Sequence, residues 1–405
     1  MQSFDIFCRV IDNLGDAGIC WRLSLHIKAQ ATWQVATLPE SAALCSPAHP
    51  HETLPSGTAS SPPPVKVRLF IDDLHRLALL VPDLDPSKAN QHIQGIDVVQ
   101  WHEASRIEQP SEIVIEAFGC DLPEAFSLRM PGSTRLWINL EYLSAEDWVN
   151  EWHGLPSIQP NGLRKFFFFP GFTARTGGLL REPDLETRRK NWLHTPENHQ
   201  RLLRTLNLDP VARCHLDEGA LHILLFGYRD APVQELITGI QKCGRKAVIL
   251  HPGPLPDTLK YHQGSRHECA VLLRSIPFVA QHDFDTLLWG SHLNFVRGED
   301  SLVRGLWAQR PMVWQIYSQP EQAHHIKLNA FLACSPLPES VKTLMRAWNG
   351  LPGQPAVDTA LAQALAPDTL GNWQRSMHDW YTRLAGEPDL ATRLLEFCAQ
   401  KSGTG

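Results

Sequence analysis

Two short segments place chemically able side chains where a strand hands over to a helix. The first is Val10-Ile11-Asp12-Asn13-Leu14-Gly15-Asp16-Ala17-Gly18. Gly15 and Gly18 let the backbone turn tightly and come close to a ligand. Asp12 and Asp16 would repel a pyrophosphate and suit a cationic or proton-donating ligand. The local alternative is that Asp16 is only the N-cap of the helix that follows. The second segment is Arg297-Gly298-Glu299-Asp300-Ser301. A helix N-terminus offers free N–H groups and a positive dipole end, so it can hold phosphate, and Arg297 and Ser301 add donors. Glu299 and Asp300 disfavour phosphate unless turned away, and either could accept from a sugar hydroxyl. A charged, well-capped helix start is the alternative here. In Phe278-Val279-Ala280-Gln281, Phe278 could stack on a base while Gln281 reads its edge or donates to phosphate. A lone Phe is more often core. Tyr317 could give a phenolic hydrogen bond to phosphate, against ordinary cleft packing.

Other chemistries lack their residues. There is no H-E-x-x-H and no Cys/His pairing with zinc spacing, and His324-His325 reads as a surface pair. No D-x-D element stands in a setting that would hold a divalent ion. G-x-S-x-G, P-loop and G-x-G-x-x-G patterns are missing. A metal-free chemistry is the expectation.

These segments need elements to position them, and the hydrophobic pattern predicts a parallel α/β arrangement. Strands are expected at 4–8, 67–71, 96–99, 113–115, 136–138 and 166–169, with a helix over 16–28. A second series begins after about residue 180, with strands at 221–226, 247–250, 271–273, 293–296 and 312–316 and helices between them. The Ser/Pro/Ala-rich stretch from Pro39 to Lys66 reads as a long surface loop. Two consecutive series predict two Rossmann-like, doubly wound domains facing a cleft, where ligands bind beyond the carboxyl ends of the strands. The domains are expected at 1–180 and 181–371, with a helical tail, 372–405, returning to the first.

Composition limits the function classes. Of 405 residues, 43% are hydrophobic and 20% charged, which excludes a disordered chain. A net charge of −6 leaves no cationic surplus for general nucleic-acid binding. Nine cysteines, none in C-x-x-C, fit a reducing compartment. No basic-then-apolar leader opens the sequence, and no apolar run reaches the ~18 residues of a membrane span. A cytoplasmic protein without membrane or nucleic-acid partners is the expectation.

Several blocks, taken in order, resemble a known family, the protein-arginine rhamnosyltransferases that modify bacterial elongation factor P. They are Phe4 to Asn13 with Gly15-Asp16 and Trp21-Arg22-Leu23, and Asn139-Leu140-Glu141-Tyr142-Leu143-Ser144. Phe169-Pro170-Gly171-Phe172 with Thr176-Gly177-Gly178-Leu179, then Pro277-Phe278-Val279, follow. Arg297 to Ser301 and Val313-Trp314-Gln315-Ile316-Tyr317 complete the set. Ala280 and Ser318 stand where proline is usual, and Ala17 where a larger aliphatic is usual.

The resemblance implies a GT-B fold, with a C-terminal helix packing back on the first domain. It implies transfer of L-rhamnose from dTDP-β-L-rhamnose to an arginine guanidinium of elongation factor P, with inversion and without a metal. It further implies that Phe278 stacks on thymine and that Gln281 contacts the nucleotide. Arg297, Glu299, Asp300, Ser301 and Tyr317 would surround the diphosphate and sugar, with Asn13, Gly15 and Tyr228 also at the donor. Asp12 and Asp16 would face the acceptor arginine. An arginine guanidinium is protonated and delocalised, so a carboxylate must take its proton as the C–N bond forms. Asp16 is the expected base, Asp12 the orienting group and Glu299 the rival carboxylate. A transferase using another nucleotide sugar or acceptor is the first alternative. A non-catalytic nucleotide-sugar-binding regulator is the second, and Asp12, Asp16 and Glu299 argue against it. An NAD-dependent dehydrogenase is disfavoured by the acidic first loop.

Overall fold

The structure is a computed structural model that describes residues 3–12, 14–37, 65–255, 270–319 and 322–402. Most of the Pro39–Lys66 stretch therefore lies outside the described residues, and so does Asn13.

Eight strands form the first sheet. They are β1 (Ser3–Cys8), β2 (Lys66–Ile71), β3 (Asn90–Ile93), β4 (Ile96–Gln100), β5 (Ile113–Ala117), β6 (Leu136–Leu140), β7 (Pro156–Ile158) and β8 (Arg164–Phe168). Their order is β3-β4-β2-β1-β5-β6-β8-β7. The six inner strands run parallel; β3 and β7 are antiparallel edges. Strand β1 is central and buried on both faces, as parallel strands covered by helices are. Phe4, Ile6 and Cys8 enter one core with Leu23 and Ile27 of the first helix, Gly15–Thr37. Phe7 enters the opposite core, stacked on Phe70 with ring centres 4.4 Å apart and packed on Phe126.

The second sheet is all parallel, with β9 (Leu221–Leu225), β10 (Ala247–Pro252), β11 (Val271–Ile276), β12 (Leu293–Arg297) and β13 (Met312–Gln315). Its order is β11-β10-β9-β12-β13. In each sheet the winding reverses once, between β1 and β5 and between β9 and β12. A doubly wound sheet binds ligands at such a reversal, beyond the strands' carboxyl ends. Asp12 follows β1, Tyr228 follows β9, and the Arg297-Gly298 step follows β12, so the sequence segments read as sites fall at both reversals.

The edges β3 and β7 are additions to the expected strands. Asn90-Gln91-His92-Ile93 is too short and polar for its period to be read, and it is a strand because β4 pairs with it. The tail also divides differently from the expected return at 372. The helix Pro367–Ala385 buries Trp373, Met377, Trp380 and Leu384 in the second domain's core. Only the last helix, Leu390–Ser402, crosses over, burying Leu390, Leu394, Leu395 and Cys398 in the first. Helical spacing shows that a face is buried, but not against which core. The C-terminal helix does pack on the first domain.

Trp380 is 1% exposed, and its indole N–H has no partner among the described residues. Its contribution is therefore packing. Trp380→Ala should cost about 3–5 kcal/mol in denaturant unfolding. Trp380→Phe should cost a small part of that, since no hydrogen bond is lost.

Candidate active site

The loop after β1 and the elements after β9 and β12 meet directly. The hydroxyl of Tyr228 donates to Asp12 Oδ1 at 2.7 Å, across the cleft. Gly298, at φ +62°, opens the helix Gly298–Ala308 beneath this pair. A side chain there would sit 2.4 Å from Asp12 Oδ2 and 3.0 Å from the Tyr228 hydroxyl. Only glycine accepts both the left-handed backbone and that approach.

Asp16 lies in the first turn of the first helix and is 2% exposed. Its Oδ2 accepts the backbone N–H groups of Ile11 and Asp12, each at 2.8 Å. It therefore ties down the turn that precedes its helix and is not a simple N-cap. Burial raises its pKa to about 6, the two N–H bonds oppose the rise, and the charges of Asp12 and Glu299 add to it. A buried carboxylate of that pKa takes a proton readily near neutrality, which is what a general base needs. Burial also raises the pKa of Asp12, against the Tyr228 hydroxyl and the charge of Arg297.

Two cavities adjoin at Asp12 and Gly15. One, of about 640 Å³, is lined by Phe226, Tyr228, Phe278, Gln281, Arg297 and Asp300 among others. Ser301 also lines it, with Leu79 and Leu80 of the first domain. Phe278 is 43% exposed, and its ring edge occupies the space that a side chain on Gly253 would fill. The Arg297 guanidinium lies over the Phe226 ring at 4.4 Å and the Tyr228 ring at 5.1 Å, and donates to Gly227 O at 3.0 Å. This combination of an exposed aromatic face and a fixed cation suits a base and its phosphates.

The other cavity, of about 790 Å³, is lined by Asp12, Asp16, Glu299 and Tyr317, with Tyr142 and Lys327. Its carboxylates suit a cation. The sequence-derived set is thus divided. Phe278, Gln281, Arg297, Asp300, Ser301 and Tyr228 line the first cavity, Asp16, Glu299 and Tyr317 the second, and Asp12 and Gly15 both.

Four side chains are engaged in ways their types alone do not predict. Ser301 Oγ accepts the backbone N–H of Arg297 at 3.0 Å and donates to its carbonyl, so it closes the first helical turn. Asp300 accepts from Arg22, from Gln281 at 3.2 Å and from Arg304 at 3.4 Å. Glu299 accepts from Leu143 N–H and from Lys327, both at 2.7 Å. His324 is buried, not a surface residue, and accepts from Gln319 N–H at 3.1 Å.

Sequence reasoning missed the ionic network that joins the domains. Arg22, 3% exposed, donates to Glu182 at 2.6 and 3.0 Å and also to Asp300. Arg304 donates to Asp285 at 2.7 Å within the same buried group. The paired guanidinium groups hold Glu182 well below the usual carboxylate range despite its burial. Trp307 adds a bond from its indole N–H to Leu180 O at 2.8 Å. Arg22 and Glu182 are far apart in sequence, and no spacing links them. Lys327 and Phe226 carry no motif either.

Two doubly wound domains that share a cleft, with an aromatic- and arginine-lined cavity on one side and an acidic one on the other, have the architecture of a GT-B glycosyltransferase. The family model for the elongation factor P (EF-P) rhamnosyltransferase EarP matches residues 4–52 and 60–399, and the chain belongs to that family. It is 38% identical to a protein-arginine rhamnosyltransferase of Pseudomonas putida over 98% of both chains. A protein-arginine rhamnosyltransferase of Pseudomonas aeruginosa is 35% identical over 98% of this chain and 99% of its own. A solved structure described as the structural basis for EarP-mediated arginine glycosylation of EF-P superposes with a TM-score of 0.59. It is 27% identical over 99% of each chain. Among the described residues, no helix is long and apolar enough to cross a membrane. Nor is there a group of three or more His, Cys, Asp or Glu side chains set to hold a metal ion.

Removing the Arg22 guanidinium leaves two buried carboxylates without their main counter-charge. Arg22→Ala should lower unfolding stability by about 3–5 kcal/mol. Arg22→Lys, which keeps the charge but not the fork, should recover part of it in the same denaturation assay.

Proposed function

We propose that this protein transfers L-rhamnose from dTDP-β-L-rhamnose to an arginine guanidinium of EF-P, with inversion at the sugar carbon. The observation that carries the reading is the pair of cavities meeting at Asp12, one lined by Phe278, Gln281 and Arg297 and the other by Asp12, Asp16 and Glu299. Thymine lies on Phe278, and the diphosphate lies toward Arg297 and the start of the helix Gly298–Ala308. The acceptor guanidinium enters the acidic cavity, where Asp12 orients it. A guanidinium nitrogen attacks C1 of rhamnose while the bond from C1 to the diphosphate oxygen breaks. The bond's electron pair leaves with dTDP, and the nitrogen's proton passes to Asp16. Arg297 meets the charge developing on the leaving group, as fixed donors do most effectively. No metal is assigned a role, so chelator should leave the rate unchanged. A cytoplasmic location fits an acceptor that works in translation.

Intact mass spectrometry of EF-P after incubation with the enzyme and dTDP-β-L-rhamnose tests the reading. It expects one deoxyhexose added on an arginine. Absence of that mass while dTDP still binds would send the search to another acceptor or sugar.

Asp16→Asn keeps an oxygen for the Ile11 and Asp12 N–H groups but cannot take a proton. Transfer should fall by roughly 10²–10⁴. Because burial holds Asp16 above its ordinary 3.8 at about 6, its contribution to stability is full below 3.8 and is lost as pH rises through 6. Asp16→Asn should therefore melt no lower than the parent at pH 7–8. The rate of the parent enzyme should show an acid limb near pH 6. Phe278→Ala should weaken dTDP binding by about 1–3 kcal/mol in calorimetric titration. An unchanged affinity would return Phe278 to a packing role.

A further inference from the structure

Lys327 is a half-buried cation for which the transfer chemistry above has no use. It lies on the helix Ala323–Cys334 of the second domain, with Nζ 2.7 Å from Glu299 Oε1. The same ammonium stands 5.4 Å from the centre of the Tyr142 ring, in the first domain. Glu299 Oε2 accepts the Leu143 N–H, also in the first domain, at 2.7 Å. Each oxygen of Glu299 thus has one firm partner, and each keeps a lone pair for a further donor. Among the described residues lining this cavity, Lys327 alone is basic.

We propose that Lys327 is a positioning residue for the transfer: it keeps Glu299 a seated anion that, together with Asp12, orients the acceptor guanidinium, leaving proton removal to Asp16. The inference rests on the function proposed above. Without Lys327, Glu299 would be a largely desolvated carboxylate with one N–H bond and no counter-charge, and its protonated form would be favoured. A protonated Glu299 loses its attraction for the guanidinium and its fixed orientation. Burial already raises the Glu299 pKa, and Lys327 is the main opposing influence. The other ionisable groups facing this cavity are Asp12 and Asp16 from the loop after β1, Tyr142 after β6 and Tyr317 after β13. Arg297 and Tyr228 stand beyond Asp12. None of these supplies a cation to Glu299.

Two measurements on the full chain test this. The first needs no substrate: titration of the ¹³C-labelled Glu299 carboxyl by NMR, the resonance being identified by its loss in Glu299→Gln. Lys327→Met should raise the midpoint by about one pH unit or more, and Lys327→Arg should leave it near the parent value. An unmoved midpoint in Lys327→Met overturns the inference. The second is the pH profile of transfer. Lys327→Met should lose severalfold in kcat at neutral pH and recover toward alkaline pH, with the donor KM unchanged. Its acid limb should move up with the Glu299 midpoint, and Lys327→Arg should restore the parent limb. A loss equal at every pH would mean a merely structural role and would also overturn the inference. If the parent enzyme adds no rhamnose to EF-P, the proposed function fails, and the NMR titration still decides the role of Lys327.

Discussion

A guanidinium buried between two domains must be neutralised from both, and that constraint governs this molecule. Arg22 projects from the first helix into the contact with the second domain. There it meets Glu182, in the segment joining the two sheets, and Asp300, in the first turn after β12. Water does not compensate such a charge, so the carboxylates must be held where the guanidinium needs them. Asp300 is one residue from Glu299 and two from Gly298. Fixing Asp300 therefore fixes the start of that helix, and with it the floor of both cavities. Arg304 and Asp285 extend the ionic group, so the helix is held along its length as well as at its tip.

With the helix start fixed, the contacts across the cleft follow from close approach. Gly298 admits Asp12 and the Tyr228 hydroxyl. Gly18 does the same for Gln281 and Asp300, since a side chain there would sit 2.7 Å from one and 3.0 Å from the other. Glycines on both sides of the cleft thus allow the domains to approach closely enough for side chains of one to complete the site of the other. Asp12 is the shared wall. Its carboxylate faces the acidic cavity and is held by Tyr228 from the other, so the two cavities meet at that residue. Asp16 stands behind it, held by backbone N–H groups and buried enough for its charge to be costly. The strain of keeping that carboxylate dry is consistent with a proton-accepting role.

The two acidic residues of the Arg297–Ser301 segment have separate work. Asp300 faces the ionic network and the cavity lined by Phe278 and Arg297, and Glu299 faces the acidic cavity with Lys327. Successive residues at a helix start point in different directions, so one short motif serves both cavities. That is why its residue types look contradictory in sequence, with two carboxylates at a helix end of the kind that can hold phosphate.

Much of this was legible beforehand. Parallel strands buried on both faces read as continuous apolar runs, so β1, β5, β6, β9, β10, β12 and β13 were visible, and so were the loops that follow them. The acids and glycines of those loops stood out as candidates because a strand-to-helix turn needs particular backbone conformations, which constrain residue type locally. The edges β3 and β7 were not visible, since their conformation comes from the neighbouring strand and not from their own pattern. The partition of the tail, the Arg22–Glu182–Asp300 group, the Lys327–Glu299–Leu143 bridge and the division into two cavities were decided only in the folded molecule. Each joins residues far apart in the chain, and what selects them is the neutralisation of charge and the fit of faces after the domains meet. Sequence determines local conformation and the burial pattern; which buried faces and charges become partners is a property of the tertiary structure.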